Sequence, residues 1–176
     1  MNKYKLLFID LDGTIINTRS GEVFPKGIWD MEIDLEVLES IKNLKPDMTV
    51  IVTNQGGIEL GYVDKRNFEF KMEYIRRSIM EYTGVFTEYS YCPFNDVNNS
   101  YRKPNTGMLD ASVNKYVRLG KLPDTLDSHQ ILMVGDMSGL PHQVSDSDRR
   151  TADNFGCQYL DVTQFIKLYK NTNNDV

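Results

Sequence analysis

Leu6-Leu7-Phe8-Ile9-Asp10-Leu11-Asp12-Gly13-Thr14 decides the fold. An apolar run ends in two carboxylates spaced two apart, followed by a glycine. A strand that is apolar at every position is buried on both faces, the condition of a strand inside a parallel sheet covered by helices. Tyr4 to Ile9 is read as such a strand. Ligands of open α/β sheets bind beyond the carboxyl ends of the strands, so Asp10 and Asp12 fall where this kind of fold does its chemistry. In extended chain, residues i and i+2 point the same way. Two like charges that close repel and ask for a cation. Oxygen-only ligation suits Mg²⁺, which takes one or two carboxylates together with substrate phosphate. The competing reading is plain turn chemistry, because Asp-Gly after a strand is also a common turn pair.

Working outward, further apolar runs alternate with segments of helical spacing. Residues 14–25 read as a short hairpin turning at Ser20-Gly21. Leu35, Leu38, Ile41 and Leu44 give a helix that stops at Pro46. Met48 to Thr53 is a second buried strand. Residues 64–82 form a long helix with Phe68, Met72, Ile75, Ile79 and Tyr82 on one face. Phe86 to Tyr91 is a third strand and 106–119 a helix. Ile131 to Val134 is a fourth buried strand ending at Gly135-Asp136. A helix over 148–155, a strand over 157–160 and a short helix from Thr163 follow. Strands alternating with helices predict an α/β fold with a mostly parallel central sheet. The long loops are 92–107 and 136–147, and long loops in compact domains are often functional. Residues 1–170 are expected to form one domain, and the polar tail 171–176 to fray.

Bulk properties narrow the function classes. A chain of 176 residues with 40% hydrophobic and 26% charged content is globular. Its net charge of −5 argues against holding nucleic acid by bulk electrostatics, yet leaves room for an enzyme that touches only a terminus. The two cysteines, Cys92 and Cys157, stand without a CxxC pair or Cys/His cluster, so no zinc site is expected. There is no secretory leader pattern and no apolar run near ~18 residues, so the expected location is the cytoplasm.

Each strong strand ends in a polar group suited to one chemistry. The first gives Asp10 and Asp12, the second Thr53-Asn54-Gln55, the fourth Asp136, with Arg102-Lys103-Pro104 between them. A carboxylate nucleophile can form an aspartyl phosphate. A hydroxyl and an ammonium can hold phosphoryl oxygens, and a metal can neutralise developing charge. Singly, Thr53 reads as a cap, Lys103 as a solvated charge and Asp136 as a turn residue. Their joint placement at successive strand ends is what those separate readings explain poorly.

The order Asp10-x-Asp12-Gly-Thr, Thr53-Asn-Gln, Lys103-Pro and Gly135-Asp136 resembles the four motifs of the haloacid dehalogenase (HAD) superfamily of phosphotransferases. The resemblance implies a three-layer, Rossmann-like fold with a flap hairpin after the first strand. It implies Asp10 as nucleophile, Asp12 as general acid then base, and Thr53 and Lys103 as phosphoryl ligands. Mg²⁺ would be held by Asp10, Asp136 and the main-chain carbonyl of Asp12. Thr18-Arg-Ser-Gly-Glu-Val-Phe-Pro25, Thr53-Asn-Gln-Gly-Gly-Ile58, Tyr101-Arg-Lys-Pro-Asn-Thr-Gly-Met108 and Val134-Gly-Asp-Met-Ser-Gly-Leu-Pro141 resemble the phosphatase domain of polynucleotide kinase 3′-phosphatases more closely. Ser145-Asp-Ser-Asp-Arg149 is similar to that domain's final acidic segment. It implies Asp148 as a further acid supporting Lys103 or a metal-bound water, with Asp146 as an adjacent competitor.

Three departures stand out. No GxxxxGK[ST] loop occurs, so ATP-driven 5′ phosphorylation is not expected. Leu140 stands where the family has an arginine. The chain is acidic, although Arg19, Lys26, Arg102, Arg149 and Arg150 are either a local positive rim or scattered surface charges. Between Thr14 and Thr53 there are too few residues for a cap domain, and an open site suits a large substrate. The expected activity is a Mg²⁺-dependent phosphomonoesterase acting on 3′-phosphates at nucleic-acid ends in DNA repair, with Asn54 and Arg102 joining Thr53 and Lys103 in substrate binding and the protein working as a monomer. The alternative is a small-molecule phosphatase of the histidinol-phosphate or heptose-bisphosphate type. Those uncapped relatives commonly carry a zinc-binding cysteine loop. Cys92-Pro93 resembles its start without the later cysteines, so Cys92 reads as a small buried residue.

Overall fold

A computed structural model describes residues 4–22, 25 and 28–170. Five strands form one sheet: β1 (Leu6–Ile9), β4 (Met48–Asn54), β5 (Phe86–Cys92), β6 (Ile131–Gly135) and β7 (Gln158–Asp161). Their order is β5-β4-β1-β6-β7, and all four pairings are parallel. Two more strands, β2 (Ile16–Thr18) and β3 (Met31–Ile33), pair antiparallel as a separate hairpin. The helices are α1 (Leu35–Leu44), α2 (Lys65–Thr83), α3 (Gly107–Arg118), α4 (Ser147–Phe155) and α5 (Val162–Tyr169).

The apolar runs follow from burial on both sides. In β1, Leu7 and Ile9 face a core shared with α1, α2 and α5, while Leu6 and Phe8 face a second core shared with α3 and α4. All four are fully buried. The result is three layers, helix–sheet–helix, with no polar position left in the central strand. Asp34 caps α1 by accepting from the backbone N–H groups of Glu36 and Val37 at 2.9 and 3.2 Å. Lys45, at φ 52°, ends that helix ahead of Pro46. Among the described residues no helix is long and apolar enough to cross a membrane.

Two expectations are corrected. The hairpin does not close within 14–25. Ser20-Gly21 lies in its connection, and the second arm is Met31–Ile33, with Thr18 opposite Met31. The reason is a buried polar clasp: the Asp30 carboxylate accepts from the backbone N–H and the hydroxyl of Ser20, both at 2.8 Å. Tyr82 does not join the buried face of α2. It is exposed at the end of the helix, and its hydroxyl donates to Glu39 on α1. The expected frayed tail, 171–176, and Lys26 of the expected rim lie outside the described residues.

Candidate active site

β1 passes between β4 and β6, with Ile9 opposite both Ile51 and Val134. The carboxyl ends of three strands therefore converge, and the chain leaves β1 toward β4 on one side and returns to β6 on the other. That is the switch point where such sheets bind ligands. Asp10 follows β1 and is held by its N–H to the Val134 carbonyl at 2.9 Å.

A buried ammonium lies beneath the strand ends. Lys103 Nζ donates to Asp10 Oδ1 at 2.5 Å, to Asp148 Oδ1 at 2.7 Å and to the Val52 carbonyl at 3.0 Å, which uses all three of its protons. Burial works against that charge, but the two carboxylates outweigh it and hold the pKa of Lys103 above its usual value. For Asp10, burial pushes the carboxyl up, Lys103 pulls it back, and Asp148 and Asp136 add to the rise. The net direction is upward, because burial and the two neighbouring acids together outweigh the one ammonium.

Oxygens of Asp10, Asp136 and Asp148 all lie within 4.8 Å of one another. Asp148 is fully buried, and its Oδ2 accepts from the Met137 N–H at 3.1 Å, so both its oxygens have protein partners. Asp136 Oδ1 is buried with no hydrogen-bond partner. Burial, then the nearby Asp148 charge, lifts the Asp136 carboxyl to about 6. An orphaned carboxylate oxygen beside a second carboxylate is the donor set a hard divalent cation takes. Two glycines make room for this packing. Gly13, at φ 78°, has the Asp136 carboxylate where a side chain would begin, its Cγ only 3.0 Å from the Cβ position. Gly135 leaves the same kind of space to Asp148.

Asp12 is set apart from that cluster. Its Oδ2 accepts from the Gln55 side-chain amide at 2.8 Å, and its Oδ1 is buried without a partner. The same Gln55 nitrogen donates to Thr53 Oγ1 at 3.0 Å. Asn54 is spent on Lys103: its amide donates to the Lys103 carbonyl at 3.0 Å and accepts from the Lys103 N–H at 2.9 Å. Arg102 donates to the Phe94 carbonyl at 3.0 Å and so braces the loop after β5.

Asp10, Asp136, Asp148 and Lys103 are thus brought together, with Asp12 and Thr53 joined through Gln55. Asp146 is outside. It precedes the first turn of α4, within 3.8 Å of Arg149 and 3.9 Å of Arg150, so these arginines face a carboxylate of their own. Cys92 is buried, with Sγ near the Phe94 carbonyl and Asn99 Oδ1. The sequence pattern alone assigns Gln55 no role. The signal was present, a polar side chain just past a buried strand, while its partner lies 43 positions away.

A model of the family described as "Polynucleotide kinase 3 phosphatase" matches residues 5–165. The chain belongs to this family. Among its relatives, an uncharacterized 20.8 kDa protein of Autographa californica nuclear polyhedrosis virus is 30% identical over 93% of this chain and 86% of its own length. The bifunctional polynucleotide phosphatase/kinase of Schizosaccharomyces pombe is 30% identical over 92% of this chain, which spans only 37% of that protein. The histidine biosynthesis bifunctional protein HisB of Campylobacter jejuni subsp. doylei is 32% identical over 89% of this chain and 41% of the relative. A crystal structure of D,D-heptose 1,7-bisphosphate phosphatase from B. bronchiseptica, complexed with magnesium and phosphate, shares the fold at TM-score 0.67 and 23% identity, covering 88% of this chain and 78% of the other. The protein is a phosphatase of the HAD superfamily, with a three-layer α/β fold and a hairpin rather than a cap domain among its described residues.

Proposed function

We propose that this phosphatase removes 3′-phosphates from nucleic-acid ends through an aspartyl-phosphate intermediate, in DNA repair. The observation that carries the reading is the Asp10–Lys103–Asp148 bridge at the convergence of three strand ends, in a chain of the polynucleotide kinase 3 phosphatase family. Asp10 attacks phosphorus. Lys103, exchanging one of its three present bonds, and the Thr53 hydroxyl hold the phosphoryl oxygens. Because Thr53 Oγ1 accepts from Gln55, its own proton remains to donate to phosphate. Asp12 protonates the departing 3′ oxygen and then takes a proton from the water that opens the aspartyl phosphate. Gln55 fixes the orientation in which Asp12 does so.

Mg²⁺ is the proposed cofactor, held by Asp10, Asp136 and the Asp12 main-chain carbonyl. When bound it neutralises charge on the phosphoryl oxygens. Asp148, with both oxygens engaged, acts through Lys103 rather than as a direct ligand. Asn54 positions Lys103, and Arg102 contributes positive charge at the rim. The open site, bordered by the β2–β3 hairpin, admits a strand end.

The second reading is a small-molecule phosphatase, favoured by the HisB likeness over most of the chain. The deciding experiment is phosphate release with Mg²⁺ from an oligonucleotide ending in 3′-phosphate. It is compared with the 5′-phosphate isomer, histidinol phosphate and heptose bisphosphate, with Asp10→Asn as blank. Preference for the 3′ end is expected. Turnover of the small phosphates alone overturns the substrate and keeps the mechanism.

A further inference from the structure

A groove of about 450 Å³ opens between the hairpin connection and the first half of α2. Pro25, Ile28, Tyr62, Asn67, Phe70 and Lys71 line it. Tyr62 and Phe70 are 83% and 70% exposed, a large apolar surface to leave in water. The turn after β4 leads from Gln55 of the site to two residues that line the groove, Tyr62 and Val63. The N–H groups of Tyr62 and Val63 both donate to the Gly57 carbonyl, at 2.9 and 3.1 Å, two residues beyond the Gln55 that holds Asp12.

Lys71 is the charged element of this groove. It is half-buried over the Phe68 ring, 5.4 Å from the centroid. It makes no hydrogen bond or ion pair to any described residue, in contrast to Lys103, which makes three. Burial lowers its pKa, and the charge of Asp12 partly reverses that fall. A partly desolvated ammonium without an anionic partner is costly unless a ligand supplies one. Its position, on the Asp12 side of the site and flanked by exposed rings, matches one chemistry. An anion is needed at Lys71 and a flat apolar group against Tyr62 or Phe70.

We infer that Lys71 binds a second phosphate of the substrate, namely the phosphodiester preceding the 3′-terminal phosphate, while the adjoining base lies against Phe70 and Tyr62. This rests on the reading of the site given above and adds a subsite to it. Stacking on aromatic side chains is tolerant of base identity, so the subsite reads strand length rather than sequence.

The test is a ratio of kcat/KM values: a dinucleotide ending in 3′-phosphate over the mononucleoside 3′-phosphate, and heptose 1,7-bisphosphate over heptose 7-phosphate. Wild type, Lys71→Met and Lys71→Arg are measured, with thermal melts as the folding control. The wild type is expected to prefer the dinucleotide about tenfold or more, the scale of a charge-assisted hydrogen bond. Lys71→Met should bring the ratio close to one and Lys71→Arg should restore most of it. A wild-type enzyme that hydrolyses both nucleotides equally, or a ratio unmoved by Lys71→Met, overturns the subsite and leaves the 3′-phosphatase reading standing. If wild type turns over neither nucleotide but prefers the bisphosphate in a Lys71-dependent way, the phosphodiester and the 3′-end reading both fall.

Discussion

Replacing Asp136 by asparagine is expected to make the metal-free protein more stable at neutral pH while destroying its activity. In the unfolded chain this carboxyl titrates near 3.8, and in the fold it is lifted to about 6 by burial and by Asp148. A raised carboxyl pKa means that the folded state holds the proton more tightly. The folded protein suffers no penalty below pH 3.8, a growing one between there and pH 6, and the full one above pH 6. About two pK units correspond to ~3 kcal/mol, and partial exposure of Asp136 halves this to ~1.5 kcal/mol. For a domain of this size that is a rise in Tm of ~3–6 °C for Asp136→Asn. The assay is thermal unfolding in chelator at pH 7.5 and again at pH 4, where the advantage should vanish. Adding Mg²⁺ should raise the Tm of wild type and leave the variant nearly unmoved. A variant less stable than wild type in chelator, or stabilised as much by Mg²⁺, would refute both the charge argument and the placing of Asp136 among the ligands.

Other substitutions probe separate contacts. Lys103→Met strands two buried carboxylates and should cost ~3–5 kcal/mol, read as a lower denaturant midpoint; a loss under 1 kcal/mol would contradict the bridge. Asp12→Asn should lower kcat ~10²–10⁴-fold while Mg²⁺ still shifts the melting curve, and near-wild-type turnover would remove Asp12 from acid–base work. Gln55→Ala should slow alkyl phosphate esters more than para-nitrophenyl phosphate, because a poor leaving group depends on a well-aimed acid. Equal losses on both would reduce Gln55 to a packing role.

The parallel sheet was legible because burial on both faces imprints itself locally, as in Leu6–Ile9 and Met48–Val52, and needs no knowledge of the partner strand. Asp10 and Asp136 were legible as candidates for a related reason: each follows a buried strand, and turn chemistry explains either one alone but poorly explains both at neighbouring strand ends. The choice between Asp148 and Asp146 was not. The two differ only in which side of a helix start they occupy, and the space that admits Asp148 is a missing side chain at Gly135, on another element. The second arm of the hairpin was hidden likewise, since Met31–Ile33 is too short to announce itself and depends on Asp30 gripping Ser20. Tyr82 fits the helical period but sits where α2 has run beyond the sheet. Gln55 and Lys71 carry ordinary residue types, and only the adjacency of β1, β4 and α2 gives them meaning.

The strand order places the earliest-made strand of the sheet in its middle. On the ribosome, β1 gains a neighbour on one edge when Met48–Asn54 emerges, but its other edge waits for Ile131–Gly135. Until that strand is made, the fully apolar β1 presents an open row of backbone donors and acceptors, the template on which chains pair wrongly. Late closure is inherent to this topology, because its contacts are non-local. The step that seals this edge also brings Asp136 into place, so a metal-site carboxylate and protection from aggregation arrive together.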